Sequence, residues 1–275
     1  QHGFRKGYST ITQLVSVVHS FAETLDKNGQ MDVIFLDFSK AFDKVIHHKL
    51  LAKLRDINLP DIFIAWIQHY LTERSQFVSV DGNNSSSLPV TSGVPQGSVL
   101  GPLLFLIYVN DIVNTVLPGT QIRLFADDCV LFRQITCSND QQNLNLSLNN
   151  ILNWCNDNGM ALNAQKTVYL CVTRSKTPLH FTYNLGSSSL QQVNNYKYLG
   201  VTITNDLSWN LHIDNVCSAA FRKLCFLKHK LRNSPSNIKL LSYFTYIRPK
   251  LEYSCVVWDP FTKSNIKKLE AVQRK

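Results

Sequence analysis

Three aspartates interrupt runs of this sequence that are otherwise apolar. Asp127 and Asp128 are adjacent inside "LFADDCVLF" (124–132), and Asp37 closes "VIFLD" (33–37) just before a turn. Carboxylates are rarely buried unless they are paired or bound to a metal. If the 31–37 run pairs with a hairpin formed by 124–132, Asp37 and Asp127 come to lie side by side. Two or three carboxylates that close repel one another, and their pKa values rise unless a cation neutralises them. Hard oxygen donors without histidine or thiolate suit Mg²⁺, which keeps waters and substrate phosphates among its ligands. Two such ions about 4 Å apart can activate an attacking oxygen and stabilise a leaving one in phosphoryl transfer. Taken singly, each feature has a plainer account: Asp favours hairpin turns, and a strand-terminal Asp often caps a helix. Together, in a basic chain, they favour metal-dependent nucleotide chemistry.

The basic character is unevenly spread. Of the formal net charge of +9, residues 1–204 contribute 15 Lys/Arg against 14 Asp/Glu, and residues 205–275 contribute 13 against 5. A last quarter so positive suggests a segment facing a polyanion such as nucleic acid, with a generic solvated surface as the alternative. The longest apolar stretch, 99–109, is broken by Gly101 and Pro102 and falls short of the roughly 20 residues a membrane span needs. No signal peptide opens the chain, which begins at Gln1 and has its first methionine at Met31; it reads as an excerpt from a longer, intracellular polypeptide rather than a secreted one. The seven cysteines are scattered and never form CxxC, which argues against a zinc ribbon or a disulfide framework.

Elements that could position the aspartates follow from periodicity. Residues 8–27 carry a helical pattern, and 31–38 read as a buried strand. Two helices follow, spaced by Ile46, Leu50 and Leu54 and then by Ile64, Ile67 and Leu71. "QFVSVDGNNSSSLPV" predicts a hairpin around Asp81-Gly82. A glycine- and proline-punctuated segment leads into an apolar helix at 102–113, and "IRLFADDCVLF" predicts two strands joined tightly at the aspartates. A helix at 140–158 stopped by Gly159, strands in "KTVYLCVT" and "YKYLGVTIT", and a helical stripe from Trp209 to Leu231 complete the pass. Strands and helices are interleaved up to about Asn205; beyond it the chain is helical and basic.

"FLDFSKAFDKV", "SGVPQGSVLGPLLFLIYVNDI", "LFADDCVLF", "NGMALNAQKT" and "YKYLGV" follow one another in the order and spacing of reverse transcriptase motifs A to E. The sequence resembles the reverse transcriptases of non-LTR (LINE-type), jockey-like retrotransposons over essentially its whole length. The opening "QHGFRKGYST" is similar to their fingers segment, and residues 248–275 to the stretch after their palm. The resemblance implies an α+β right-hand polymerase fold with an antiparallel palm sheet. Residues 1–30 would be partial fingers, 31–204 the palm with inserted fingers helices, and 205–275 a helical thumb and following segment. It implies an RNA-directed DNA polymerase that adds dNTPs to a DNA primer on an RNA template, using two Mg²⁺ ions, with Mn²⁺ as a possible substitute. Asp37 and Asp127 would be the principal metal ligands with the Phe38 carbonyl assisting, and Asp128 the third catalytic carboxylate. Phe42 would exclude ribonucleotides by collision with a 2′-hydroxyl. Gln96 and Gly97 would lie along the nascent base pair, and Lys166 near the leaving pyrophosphate. Tyr198, Leu199 and Gly200 would form the primer grip.

The resemblance also implies a ribonucleoprotein of nucleus and cytoplasm, with upstream fingers motifs and an endonuclease domain lying outside this chain. Two competing readings are a viral-type RNA polymerase on the same scaffold and a catalytically incompetent nucleic-acid-binding remnant. Phe42, and Ala126 in place of glycine before the aspartate pair, favour DNA synthesis. Asp43 is expected to cap a helix, and His47 and His48 to be surface or core-edge residues. Trp209, Phe221, Phe226, Tyr243 and Trp258 are expected in a core.

Overall fold

A computed structural model describes residues 1–274. Its largest sheet has five strands, in the order Gln191–Val193, Val168–Thr173, Gln30–Leu36, Asp128–Ile135, Gln121–Phe125. The middle strand, "QMDVIFL", is buried at every position. A strand covered on both faces is apolar almost throughout instead of alternating, which is why the 31–38 run shows no period of two. The carboxylate inside it, Asp32, is satisfied in place by the Tyr183 hydroxyl at 2.6 Å and the Gln141 amide at 3.2 Å. A carboxylate with solvent access becomes possible only where the strand stops, and Asp37 is the first residue past Leu36.

The next strand over belongs to a tight antiparallel hairpin. Its register pairs Gln121 with Phe132 and Phe125 with Asp128, so Ala126 and Asp127 are the whole turn. The strands joined at the aspartates are therefore where the sequence placed them.

The chain divides into two compact units. The first comprises Gln1–Ser9, Met31–Tyr169 and Leu179–Gln192. Its core draws on the helices His47–Asp56, Asp61–Leu71, Leu100–Val109 and Ser138–Asp157, with Leu50, Leu71, Phe105 and Leu148 fully buried. The second comprises Thr10–Gln30, Leu170–Pro178 and the chain from Val193. It holds the helix Thr10–Asp26, the hairpin Asn195–Tyr198/Val201–Thr204 and the helix Asn210–Lys230, the last of which gives Ala220 and Leu224 to a smaller core shared with Ile247 and Leu251. Among the described residues no helix is long and apolar enough to cross a membrane.

Two expectations change. The apolar helix ends at Val109 and tightens into a 3₁₀ turn over Asn110–Thr115 instead of running to 113. Of the five aromatics expected in a core, only Trp258 is buried; Trp209 and Tyr243 are half-buried, and Phe221 and Phe226 are exposed. The buried stripe of the Asn210–Lys230 helix is His212, Ile213, Ala220 and Leu224. Successive helical residues point about 100° apart, so Phe221 and Phe226 are turned off that stripe.

Asp140 starts the helix that backs the aspartate hairpin. The Thr136 hydroxyl (2.6 Å) above all, then the Thr136 N–H (3.0 Å), the Arg133 guanidinium (2.9 Å) and the Cys137 N–H (3.3 Å), outweigh burial and hold its carboxyl well below the usual range. A carboxyl held low contributes stability above its ordinary pKa, and loses that contribution as pH falls through the lower folded value. Asp140→Ala should therefore cost about 1–2 kcal/mol near pH 7. Thermal melts taken down the pH scale should show the gap to wild type closing below the ordinary carboxylate value of 3.8; a gap independent of pH would contradict this assignment.

Candidate active site

In the first unit, Asp37 lies just past the buried strand, Asp127 in the neighbouring hairpin turn and Asp128 at the start of the strand that leaves it. Asp128 is open to solvent on one side. Even so, burial first, and then the negative charges of Asp127 and Asp37, raise its pKa above the usual carboxylate range. Asp128 thus feels the charges of both other carboxylates.

The position of Asp37 is fixed through its backbone. Its carbonyl accepts the Asn163 N–H at 2.8 Å, Phe38 bridges to Leu162, and the Ser39 N–H donates to the Ala161 carbonyl at 2.8 Å. These links tie the segment "ALNAQKT" alongside Asp37 and bring Lys166 Nζ to 3.9 Å from its carboxylate. The lysine is mostly exposed, so the contact is worth little as an ion pair; what matters is that a cation is stationed there.

Among the described residues no three His, Cys, Asp or Glu side chains close up as a ready-made metal cage. The donor set nevertheless suits a divalent cation of the Mg²⁺ class. It is all oxygen, the charges of Asp127 and Asp37 add to burial in raising Asp128, and the Lys166 ammonium lies beside Asp37.

Phe42 is half-buried. Phe105 supports its ring from one side in a stacked arrangement, centroids 4.2 Å apart and 24° between planes, and Phe4 meets it edge-on at 6.4 Å. Gln96 is exposed and donates its amide to Asp43 at 2.8 Å. Asp43 does not cap a helix: it lies within the 3₁₀ turn Ala41–Lys44, and its carboxylate holds Gln96. Gly97 has φ +80° with open space where a Cβ would stand, so the backbone conformation, more than crowding, calls for glycine there. His47 is buried with Nε2 2.8 Å from the Gly93 carbonyl, while His48 is exposed; the two do not act as a pair.

Tyr198, Leu199 and Gly200 belong to the second unit. Tyr198 pairs with Val201 across the hairpin, leaving Leu199 (φ 44°) and Gly200 (φ 87°) as a two-residue turn. The buried Tyr198 hydroxyl accepts the Gln13 amide at 2.9 Å, and the Tyr253 hydroxyl donates to the Leu199 carbonyl at 2.9 Å.

Sequence reasoning missed the residues that hold the aspartate turn. Ala126 has φ 54°, a left-handed conformation that costs a residue with a Cβ about 1–2 kcal/mol. The side chain of Gln1 clamps it from both directions: Ala126 N–H donates to Oε1 at 2.9 Å and Nε2 donates to the Ala126 carbonyl at 3.2 Å. The Gly3 N–H also donates to Oε1 at 2.8 Å, and the His2 N–H donates to the Leu124 carbonyl at 2.8 Å. A Cβ on Gly3 would stand 2.4 Å from the Ala126 nitrogen. The available signal was an alanine at a turn position that favours glycine. Such a residue needs outside support, and "QHG" supplies it. Gly3→Ala should therefore force the clamp off the turn, at a cost of about 1–3 kcal/mol. Hydrogen exchange of the Ala126 and Asp128 amides should accelerate in this variant; unchanged protection would show that the clamp does not hold the turn.

Comparison with known proteins shows the family. Residues 1–203 match the family model described as reverse transcriptase (RNA-dependent DNA polymerase). Among curated relatives, the whole chain aligns at 31% identity with the RNA-directed DNA polymerase from mobile element jockey of Drosophila melanogaster, covering 31% of that protein. It aligns at 30% identity with the probable RNA-directed DNA polymerase from transposon X-element of the same species, also covering 31% of it. The chain thus spans about a third of the length of these relatives. Among solved structures, apo telomerase from Candida tropicalis truncated from its C-terminal domain superposes with a TM-score of 0.51 at 15% identity, over 72% of this chain and 39% of that one. That likeness shows a right-hand polymerase fold. With its family model matched over most of its length, the chain belongs to the reverse transcriptase family.

Proposed function

We propose that the chain carries the polymerase core of a non-LTR retrotransposon's RNA-directed DNA polymerase, extending a primer on an RNA template with dNTPs. The observation that carries this reading is that Asp128, raised first by burial, also feels the charges of Asp127 and Asp37, with Lys166 3.9 Å from Asp37. On this reading residues 1–30 act as partial fingers, 31–204 as palm with inserted fingers helices, and 205–275 as a helical thumb and the segment following it.

In the reaction the primer 3′-hydroxyl attacks the α-phosphate of the incoming dNTP; a phosphodiester bond forms and pyrophosphate leaves. Asp37, Asp127, Asp128 and the Phe38 carbonyl are the groups that would hold Mg²⁺. Bound there, Mg²⁺ supplies positive charge against the reacting phosphate oxygens. Lys166 is the chain's own cation at this place, suited to stabilise charge developing on the leaving pyrophosphate. The Phe42 ring, braced by Phe105, presents a fixed wall to the sugar, where a 2′-hydroxyl would collide. Gln96, tethered to Asp43, and the open backbone of Gly97 offer a polar, uncrowded edge along which a base pair can lie. The tight Leu199-Gly200 turn, buttressed by Gln13 and Tyr253, suits a rigid grip on the primer terminus.

Primer extension on an RNA template with Mg²⁺ tests the reading. Asp127→Asn should reduce extension by roughly 10²–10³; extension at the wild-type rate would refute the assignment, and no extension by either protein would favour a nucleic-acid-binding remnant. Phe42→Val should raise the ratio of rNTP to dNTP incorporation by roughly 10–100-fold. An unchanged ratio would remove Phe42 from sugar selection and leave it a core aromatic.

A further inference from the structure

Phe4 is held in a conformation that its own burial does not explain. Its φ of 54° lies in the left-handed region, and among the described residues it is the one aromatic with a positive φ. A bulky side chain in that region is an outlier, kept only where neighbours over-determine the backbone. Core packing is not the reason, because 63% of the residue is exposed. The flanking residues do the holding. Gly3 packs against the aspartate turn so closely that a Cβ would stand 2.4 Å from the Ala126 nitrogen. The Arg5 guanidinium donates to the Gln1 carbonyl at 3.1 Å and lies 4.8 Å from the centroid of the Tyr8 ring. Phe4 therefore stands in a fixed loop that is fastened to the turn carrying Asp127.

What the strained residue touches is the Phe42 ring. The two rings meet edge-on, centroids 6.4 Å apart and 87° between planes, within the range in which aromatic pairs attract. Phe42 also stacks on Phe105, which is fully buried in the Leu100–Val109 helix. A stack with centroids 4.2 Å apart leaves no room for a third ring between them, so Phe4 meets Phe42 elsewhere than on the face that Phe105 covers. Exclusion by collision works only while the wall stays in place. A ring free to swing gives way at small cost and admits the larger sugar. Phe105 blocks retreat on one face, and Phe4 restricts the movement that remains.

We propose that Phe4 is a positioning residue for sugar selection: it braces the Phe42 ring and, through Gly3, ties that ring to the aspartate turn. The proposal rests on the reading of Phe42 as the wall against a 2′-hydroxyl. The left-handed backbone at Phe4 is then tolerated for discrimination and not for stability, as strain at a functional site commonly is. Sugar wall and aspartate turn keep a fixed relation because one short loop holds both.

The test is the ratio of rNTP to dNTP incorporation by the 275-residue chain. Phe4→Ala should raise the ratio roughly 3–10-fold, the scale of one aromatic pair and less than the effect of Phe42→Val. In Phe42→Val the brace has nothing to hold, so adding Phe4→Ala should leave that variant's ratio unchanged. Phe4→Tyr keeps the ring and should keep the wild-type ratio. Phe4→Gly loses the ring but relieves the backbone; it should raise the ratio as Phe4→Ala does, yet melt above Phe4→Ala, which separates selectivity from stability. Relaxation of the Phe42 ring carbons supplies a readout without turnover: ring flips should be faster in Phe4→Ala and Phe4→Gly than in wild type and Phe4→Tyr. A wild-type ratio in Phe4→Ala, or Phe42 flips as slow as in wild type, would overturn the proposal while leaving the Phe42 reading in place if Phe42→Val still raises the ratio. An increase that simply adds to that of Phe42→Val would also overturn it, since Phe4 would then act without Phe42. So would a loss of template affinity with the ratio intact, which would mark Phe4 as a base-stacking platform. If Phe42→Val leaves the ratio unchanged, the wall reading fails and takes the brace with it.

Discussion

Like-charge repulsion at the end of a doubly buried strand is the constraint on which the first unit depends. The Gln30–Leu36 strand is covered on both faces and cannot carry an uncompensated carboxylate along its length; Asp32 is tolerated because two donors satisfy it. At Asp37 the cover ends, and the next strand delivers Asp127 and Asp128 to the same place. The fold thereby accepts an arrangement in which burial, and then the charges of Asp127 and Asp37, raise Asp128. Such a cost is understandable where a cation is to be bound, and it explains why Lys166 is held beside Asp37 by backbone links from the adjacent segment.

The aspartate turn shows how precision is obtained under that load. Ala126 occupies a backbone conformation it does not favour, and strain of this kind persists only where neighbours over-determine it. Gln1 supplies both a donor and an acceptor to its backbone, and Gly3 approaches too closely for any other residue to stand there. The Leu199-Gly200 turn in the second unit follows the same logic with different parts: a positive-φ pair, a buried tyrosine hydroxyl and a bracing aromatic. Both turns carry residues assigned to substrate or metal, and both are held from outside their own hairpin.

Much of this was legible in the sequence, for identifiable reasons. The helices around Leu50, Ile67 and Leu148 and the hairpin at Asp127 declare themselves through periodicity and turn chemistry, which are local. The strand at 31–37 was readable because burial on both faces leaves a continuous apolar run. Interactions across long sequence separation were not readable: the Gln96–Asp43 bond, the Gln1 clamp 125 residues from Ala126, and the burial of His47 against Gly93. Phe221 and Phe226 were misplaced because aromatic character alone does not say which side of a helix faces a core. The net positive charge of residues 205–275 was evident from composition, but which of its cations are matched by a carboxylate, as Arg248, Lys268 and Arg274 are, required coordinates.

The central claim is that Asp37 and Asp127 jointly ligate a divalent cation at the point of nucleotide addition. A structure of the chain with primer–template, an incoming dNTP and Mg²⁺ tests it most directly. The account predicts an ion with oxygens of both Asp37 and Asp127 at about 2.0–2.1 Å. An ion bound elsewhere, or carboxylates held too far apart to share one, would contradict it.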